Sequence, residues 1–494
     1  MKPAKMEWAK DWLKTTKKMY MNGEWTAGMG DVYESISPMD KTVIGRFNVS
    51  SQADVDHAVH AARLAFENSS WKNMPPKERA KKMRQIANVL EAHQDELSTI
   101  ETLDNGKLYR ESWWDVQDVI ELFEYYAGWT DKLYGDVNPV SGNFLSYTRY
   151  EPIGVCGQII PWNFPLDMAG YKLAPALAMG NTLLIKPSEV TSLSLIRLVE
   201  VIDEAEILPK GVLNLVLGDG SVGHLISRHK GVDKMAFTGS TEVGRKLIQA
   251  SADSNLKPLS LELGGKSPNL IFADAPDLAF AISRSFEAMF SGKGEKCSEP
   301  TRLLVERPIY ETVLTGLLEA FKKWRVGDPF DPNNHQGPQI SQQHFDKIMH
   351  YIEIGKQEGA KLLCGGAPNT VGENSTGFYI DPTIFYDCTH EMRISQEEIF
   401  GPVLVVIPFD TEEEAIQLAN DTDYGLAAGF WTNDTARVQR VANALQAGMI
   451  FVNQYGCYDH ASPFGGYKQS GWGQELAHTS LRLYTKSKAI WLAY

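Results

Sequence analysis

The sequence lacks the features that would tie it to a membrane, a polyanion or an oxidising compartment. No uninterrupted apolar run approaches the ~18 residues needed to cross a bilayer. Lysine and arginine number 48 against 62 aspartates and glutamates, a formal net charge of -14 that disfavours nucleic acid and anionic membrane surfaces as partners. The five cysteines, Cys156, Cys297, Cys364, Cys388 and Cys457, contain no CxxC pair and no accompanying histidine cluster. That pattern fits a reducing cytosol better than a disulfide framework and argues against a zinc site. The N-terminus carries Lys2, Lys5, Lys10, Lys14, Lys17 and Lys18 but also Glu7 and Asp11, with no arginine and no apolar core. It reads as an exposed helix rather than a signal or transit peptide, and a cytoplasmic location is expected by elimination. There are no repeats or low-complexity runs, and 368–377 is the one obvious polar loop.

With 494 residues the chain is too long for one simple core, so two or three domains are expected. Apolar residues at helical spacing predict helices over 52–68, over 78–104 (Ile86, Val89, Leu90, Leu97, Ile100) and over roughly 113–134. The aromatic residues on the last read as a core stripe. From 153 strand and helix alternate: a strand over 154–160, a helix over 168–179, a strand over 182–185, a helix over 192–205, strands over 212–217 and 235–237, and a helix from about Glu242. A second series over 265–465 includes a strand at 302–305, a helix at 310–324 and a strand at 401–406. The class is therefore α/β with largely parallel sheets, whose strand carboxyl ends are where open sheets place ligands. Segments 144–152 and 482–493 alternate like peripheral strands, which complete a small sheet or pair with another subunit.

Three separated segments hold the parts of a nucleophilic carbonyl catalyst. Cys297 ends Gly294-Glu295-Lys296-Cys297, among glycine and charge rather than the hydrophobic run that surrounds an inert cysteine. Glu262 lies between Leu261 and Leu263 and before Gly264-Gly265. Burial there would raise its pKa toward a general-base range, although a plain strand-end carboxylate has the same pattern. Asn163, in Pro161-Trp162-Asn163-Phe164-Pro165, could join the Cys297 N–H in holding an oxyanion.

Two turns compete for a dinucleotide. Gly218-Asp219-Gly220-Ser221-Val222-Gly223 spells GxGxxG but is weak alone, with 41 glycines in the chain and no strand-ending acid about twenty residues on. Phe237-Thr238-Gly239-Ser240 offers backbone N–H groups at a helix N-terminus, or is merely a tight turn. Lys186 and Glu189 follow a strand; they could bind ribose hydroxyls and favour NAD over NADP, or be a solvated pair.

Taken in order, these segments resemble the NAD(P)-dependent aldehyde dehydrogenase superfamily over essentially the whole chain. Glu397-Glu398-Ile399-Phe400-Gly401-Pro402-Val403 and Ser462-Pro463-Phe464-Gly465-Gly466-Tyr467-Lys468 complete the match. The pattern looks closest to the broad-specificity class oxidising acetaldehyde, retinal or betaine aldehyde. The resemblance implies two Rossmann-like parallel-sheet domains plus a small oligomerisation sheet. It places NAD binding in 1–133 and 153–264, catalysis in 265–465, and oligomerisation strands in 134–152 and 475–494 of a dimer or homotetramer.

The same resemblance implies residue roles. Cys297 attacks the aldehyde, Asn163 stabilises the oxyanion, Glu262 activates water against the thioester, and Lys172 and Glu475 relay the proton. Lys186 and Glu189 match adenosine-ribose contacts, Gly239 and Ser240 the diphosphate turn, Trp162 and Val243 the adenine side, and Glu398 and Phe400 the nicotinamide side. Ile159, Pro161, Gly218, Phe237, Leu263, Gly264, His344 and Lys347 complete the implied cofactor site, for NAD by preference and NADP as the alternative. Phe164, Met168, Tyr171, Tyr458 and Phe464 form an aromatic and apolar wall for a bulky aldehyde.

The chain departs from the family around the thiol. Ser291-Gly292-Lys293-Gly294-Glu295 replaces a segment that usually reads Phe-Asn-Gln-Gly-Gln, Lys296 and Ser298 flank Cys297, Glu299-Pro300 replace small residues, and Asp167 takes a tunnel position that is often apolar. Lys296 is expected to favour the thiolate, and Glu295 and Glu299 to oppose it. Alternatives to a retinal-like substrate are a betaine-aldehyde-like or semialdehyde-specific enzyme, an acylating branch that Glu262 disfavours, and a non-catalytic descendant.

Overall fold

A computed structural model describes residues 3–68 and 70–494. Strands Val155–Ile159, Thr182–Lys186 and Lys234–Thr238 are buried at every position. Strands covered on both faces read as continuous apolar runs rather than alternating ones. They form the middle of an eight-stranded sheet, whose spatial order is Glu24–Thr26, Met19–Met21, Leu213–Leu215, Thr182–Lys186, Val155–Ile159, Lys234–Thr238, Leu259–Glu262, Gly471–Trp472. The inner pairs are parallel and the outermost pairs antiparallel. Helices Gln52–Asn68 and Pro165–Ala178 pack against Thr182–Lys186.

A seven-stranded sheet follows in the order Lys361–Cys364, Thr383–Tyr386, Val403–Phe409, Arg302–Glu306, Pro268–Ile271, Ala427–Trp431, Met449–Val452, antiparallel only at the first pair. Its strands send alternate residues to opposite sides. Leu270, Leu304, Val405 and Phe430 enter one buried cluster, and Ile271, Leu303, Val305, Leu404 and Val406 another. The small sheet pairs Phe144–Pro152 with Thr485–Ala493 from Pro152↔Thr485 to Phe144↔Ala493, with Val137–Asn138 on its far side. Among the described residues, no helix is long and apolar enough to cross a membrane.

Several element boundaries differ from the pattern reading. The helix expected over 78–104 is two, Pro76–Ala92 and Gln94–Asn105, because His93 (φ -113, ψ 14) leaves helical geometry. Ile86, Leu90, Leu97 and Ile100 are all buried, so the apolar face continues through the break and periodicity hides it. The helix expected over 113–134 is Tyr109–Ala127, started by Glu111 Oε2 accepting the Leu108 N–H at 3.0 Å. The helix expected from 168 begins at Pro165, whose fixed φ suits the first turn. The strand expected over 482–493 is preceded by a 3-10 turn, His478–Tyr484, and begins at Thr485.

Candidate active site

The site grows from the carboxyl ends of neighbouring parallel strands. Register sets Lys186 beside Ile159, Ile159 beside Phe237, and Thr238 beside Glu262, so residues far apart in sequence form one row. The turn after Thr238 needs glycine: a Cβ on Gly239 would lie 2.4 Å from the Phe237 ring. Gly239 N–H donates to the Glu262 carbonyl at 3.0 Å, and Ser240 Oγ accepts the Val243 N–H at 3.3 Å to cap helix Thr241–Ala252. The competing glycine turn is built differently. Gly218 packs on Val49 and Val222, and Asp219 caps helix Gly220–Arg228 by accepting the Ser221 N–H at 2.9 Å. An acid at that cap opposes a phosphate.

Cys297 lies on the connection between helix Leu278–Phe290 and strand Arg302–Glu306. That connection turns through three consecutive left-handed residues, Gly292 (φ 63), Lys293 (φ 68) and Gly294 (φ 70). A side chain at Gly294 would meet Gly401 C at 2.5 Å, but Lys293 holds its conformation with a side chain present. Lys293 Nζ donates to Asn105 O (2.8 Å) and Oδ1 (2.9 Å) and pairs with Glu295 Oε2 (2.9 Å). Asn105 Nδ2 donates to the Trp162 carbonyl (2.7 Å), and Asn163 Nδ2 donates to the Glu295 carbonyl (2.8 Å). A closed ring of polar contacts therefore joins the loop before the thiol to the loop carrying the Asn163 amide. Gly265 completes the approach, since a Cβ there would sit 2.2 Å from the Cys297 carbonyl oxygen.

A cavity of about 290 Å³ opens over these elements. Cys297 and Asn163 share its wall with Phe164, Asp167, Met168, Tyr171, Lys296, Ser298, Tyr458 and Phe464. Pro161, Trp162, Gly239, Ser240, Leu263, Gly264, His344, Lys347, Glu398 and Phe400 line it as well. Glu262, Lys172, Glu475, Ile159, Lys186, Glu189, Gly218, Phe237 and Val243 lie off that wall. Glu262, Lys172 and Glu475 are buried behind it. Lys172 Nζ donates to Glu475 Oε1 at 2.5 Å and to Thr238 Oγ1 at 2.6 Å. Glu262 Oε2 is buried and has no hydrogen-bond partner among the described residues.

Burial pushes the Glu262 carboxyl well above the usual carboxylate range; the Glu475 carboxylate adds to this and the Lys172 ammonium opposes it. Burial likewise raises the Cys297 thiol, with further contributions from Glu262 and Glu398. The expected help from Lys296 is absent: its ammonium pairs with Glu299 at 3.3 Å and donates to Ser291 Oγ at 2.8 Å. Glu299 does oppose the thiolate, as a smaller cause. The expected opposition from Glu295 is lost because its carboxylate is answered by Lys293 and accepts the Ile340 N–H at 3.2 Å.

On the other wall, burial pulls His344 down to about 3, so the neutral ring donates Nε2–H to the Phe400 carbonyl at 2.7 Å. Its ring also meets Trp162 edge-on at 4.9 Å. Glu398 Oε1 accepts the Gly265 N–H at 2.8 Å, and a Cβ on Gly264 would lie 2.5 Å from Glu398 Oε2. Lys186 is 3.9 Å from Glu189, and burial lowers its ammonium to about 8.

Sequence reasoning passed over Asn105, which carries no motif of its own, and read Thr238 only as part of its turn, not as the hydrogen-bond partner of Lys172. It also passed over Asp118 and His460. Asp118 sits on a helix whose aromatic stripe drew attention to packing.

The sequence model of the aldehyde dehydrogenase family matches residues 25–490. Retinal dehydrogenase 2 of Homo sapiens is 45% identical over 477 residues, 96% of this chain and 91% of that protein. The NAD+ complex of an aldehyde dehydrogenase from Bacillus cereus superposes with a TM-score of 0.96 at 42% identity, covering 100% of both chains. Betaine aldehyde dehydrogenase from Staphylococcus aureus, also with NAD+, gives a TM-score of 0.95 at 40% identity over 99% of this chain and 96% of that one.

Proposed function

This chain belongs to the aldehyde dehydrogenase family, and from that premise we propose that it oxidises an aldehyde to the carboxylic acid with NAD, using Cys297 as nucleophile. The observation that carries the reading is the shared cavity wall of Cys297, Asn163 and the Gly239-Ser240 turn, with Glu262 buried behind it. The thiolate adds to the carbonyl carbon, giving a thiohemiacetal. Asn163 has one amide hydrogen committed to the Glu295 carbonyl, and the other joins the Cys297 N–H on the oxyanion. When bound, NAD supplies the two-electron acceptor. Glu262 then takes a proton from the water that hydrolyses the thioester, and Lys172 with Glu475 carries charge away from it.

The residues present fit that cofactor. The N-terminus of Thr241–Ala252 presents backbone N–H groups at a position where Gly239 permits no side chain. Trp162 and Val243 would hold the adenine side, Glu398 and Phe400 the nicotinamide side. The Lys186–Glu189 pair suits two ribose hydroxyls, and the Glu189 carboxylate repels a 2′-phosphate, favouring NAD over NADP.

Phe164, Met168, Tyr171, Tyr458 and Phe464 suit a medium or bulky aliphatic, aromatic or isoprenoid aldehyde. The human relative is named for retinal, an isoprenoid aldehyde within this range, and the Staphylococcus aureus relative for betaine aldehyde, which belongs to the alternative reading. The edge strand Thr485–Ala493, with Trp491 and Leu492 exposed, suits pairing with a second copy in a dimer or tetramer. NADH absorbance on mixing protein, NAD and a panel of aldehydes tests the reading. A protein that binds NAD yet stays silent across the panel would overturn it.

A further inference from the structure

Asp167 is the one acid on the apolar side of the cavity, on the helix Pro165–Ala178 that also carries Met168 and Tyr171. It is 9% exposed, and its Oδ1 is sealed from solvent without a hydrogen-bond partner. Among the described residues no amide, lysine, arginine or hydroxyl donates to it. Its contact is another carboxyl group, Asp118, on helix Tyr109–Ala127. Asp118 in turn accepts from His460 Nε2 at 2.8 Å.

Asp167 is buried while the Asp118 side chain keeps 38% of its surface exposed, so of two carboxyls in contact the buried one is the costlier to ionise. The two members are not equivalent. Burial opposes the charge on Asp118, but His460 and the Asp167 contact outweigh it and lower that carboxyl, whereas burial and the Asp118 charge push Asp167 far up. His460 is itself raised by Asp118, Glu121 and Asp459 despite partial burial. The shared proton is therefore favoured on Asp167, and His460 faces Asp118 from the other side. Close by, Lys107 lies 4.2 Å from the Phe164 ring centre, its charge answered by Asp115 at 2.5 Å and Glu101 at 3.1 Å. Asp167 thus presents a carboxyl group with an unpartnered oxygen among the side chains of Phe164, Met168, Tyr171 and Phe464.

We infer that Asp167 is a specificity-determining residue that accepts a hydrogen bond from an O–H or N–H group carried by the aldehyde away from its reacting carbon. This rests on the proposed aldehyde oxidation and narrows its substrate class. Asp118 and His460 are positioning residues, acting through Asp167 by holding its proton on the side away from the cavity.

The test compares kcat/KM for a straight-chain aldehyde, its ω-hydroxy analogue and its ω-amino analogue. Wild type is expected to favour both donor-bearing aldehydes over the alkyl one by roughly ten-fold, the size of one hydrogen bond. Asp167→Leu should abolish or invert that ratio. Asp167→Asn, whose amide can donate to Asp118 and still accept from substrate, should retain it. If Asp167→Leu does not fold, the wild-type and Asp167→Asn ratios still decide. Equal rates for the alkyl and hydroxy aldehydes in wild type, or a ratio that Asp167→Leu leaves unchanged, would overturn the inference. A preference for the amine alone would overturn it too, in favour of an ionised Asp167. No NADH with any aldehyde would instead be a failure of the proposed oxidation.

Discussion

Lys293 Nζ lies 2.9 Å from Glu295 Oε2, with both side chains almost wholly out of solvent on the loop that leads to Cys297. The same two residues reach Asn105 and the Asn163 amide, so this pair sets the distance between the Cys297 loop and that amide. Removing one partner of a buried pair leaves the other uncompensated and costs about 3–5 kcal/mol, whereas removing both can be nearly neutral. Lys293→Gln and Glu295→Gln are each expected to lower Tm and to lower kcat more than they raise KM. The double variant should recover most of both. Additive losses in the double variant would show that the pair does not act as a unit.

Cys297→Ala should lose NADH production entirely while NAD still binds, as measured by calorimetry or quenching of tryptophan fluorescence. Persistent turnover in that variant would remove Cys297 from its role.

Glu262 gives two separable readouts. Glu262→Gln should give one burst of NADH and then little turnover, because thioester hydrolysis slows by about two to four orders of magnitude without a base. The variant should also alkylate faster at Cys297 near pH 8. Neutralising the largest charge acting on the thiol lowers its pKa and raises the thiolate fraction. An unchanged alkylation profile from pH 7 to 10 would mean that the two side chains do not sense one another.

The motifs around Cys297, Glu262 and Asn163 were legible because each is a local device: a glycine turn, a strand end, a proline-framed loop. The βα alternation was legible for the same reason, since buried parallel strands are short apolar runs. What the pattern could not carry was which charge answers which. Lys296 adjoins Cys297 in sequence yet turns to Glu299, and Lys293 is satisfied by Asn105 from another element. The His93 break was hidden because it left the apolar face of both helices in phase. Asp118 and Asp167 lie on two helices, so their contact has no signature in either segment.

Cofactor choice should follow Glu189. Glu189→Ala is expected to narrow the preference for NAD over NADP by roughly ten-fold, the loss of one charged contact at the ribose. The check is kcat/KM with each dinucleotide at fixed aldehyde. A ratio that stays put would take Glu189 out of the ribose site.

A pH-dependent prediction comes from Asp104, wholly buried between Ser35 Oγ (2.6 Å) and Leu193 N (2.9 Å), where burial raises its carboxyl to about 7. The folded state therefore holds a proton there between about pH 4 and pH 7 that the unfolded chain has released. Stability from this group is greatest near pH 4 and falls as pH rises toward 7. Asp104→Asn removes the titration. It should stabilise the fold at pH 8 relative to wild type by a few kcal/mol at most, read as a rise in Tm, and change Tm less at pH 5. Equal shifts at both values would contradict the assignment.

The contact between Lys172 and Glu475 spans 303 positions of chain. Until the final segment has been synthesised and has laid Gly471–Trp472 beside Leu259–Glu262, the lysine lacks its Glu475 partner and the sheet edge next to Glu262 stays open. Assembly of the reactive centre is thus a late event in biosynthesis: a ribosome-tethered or C-terminally shortened polypeptide can possess the thiol without yet possessing the enzyme.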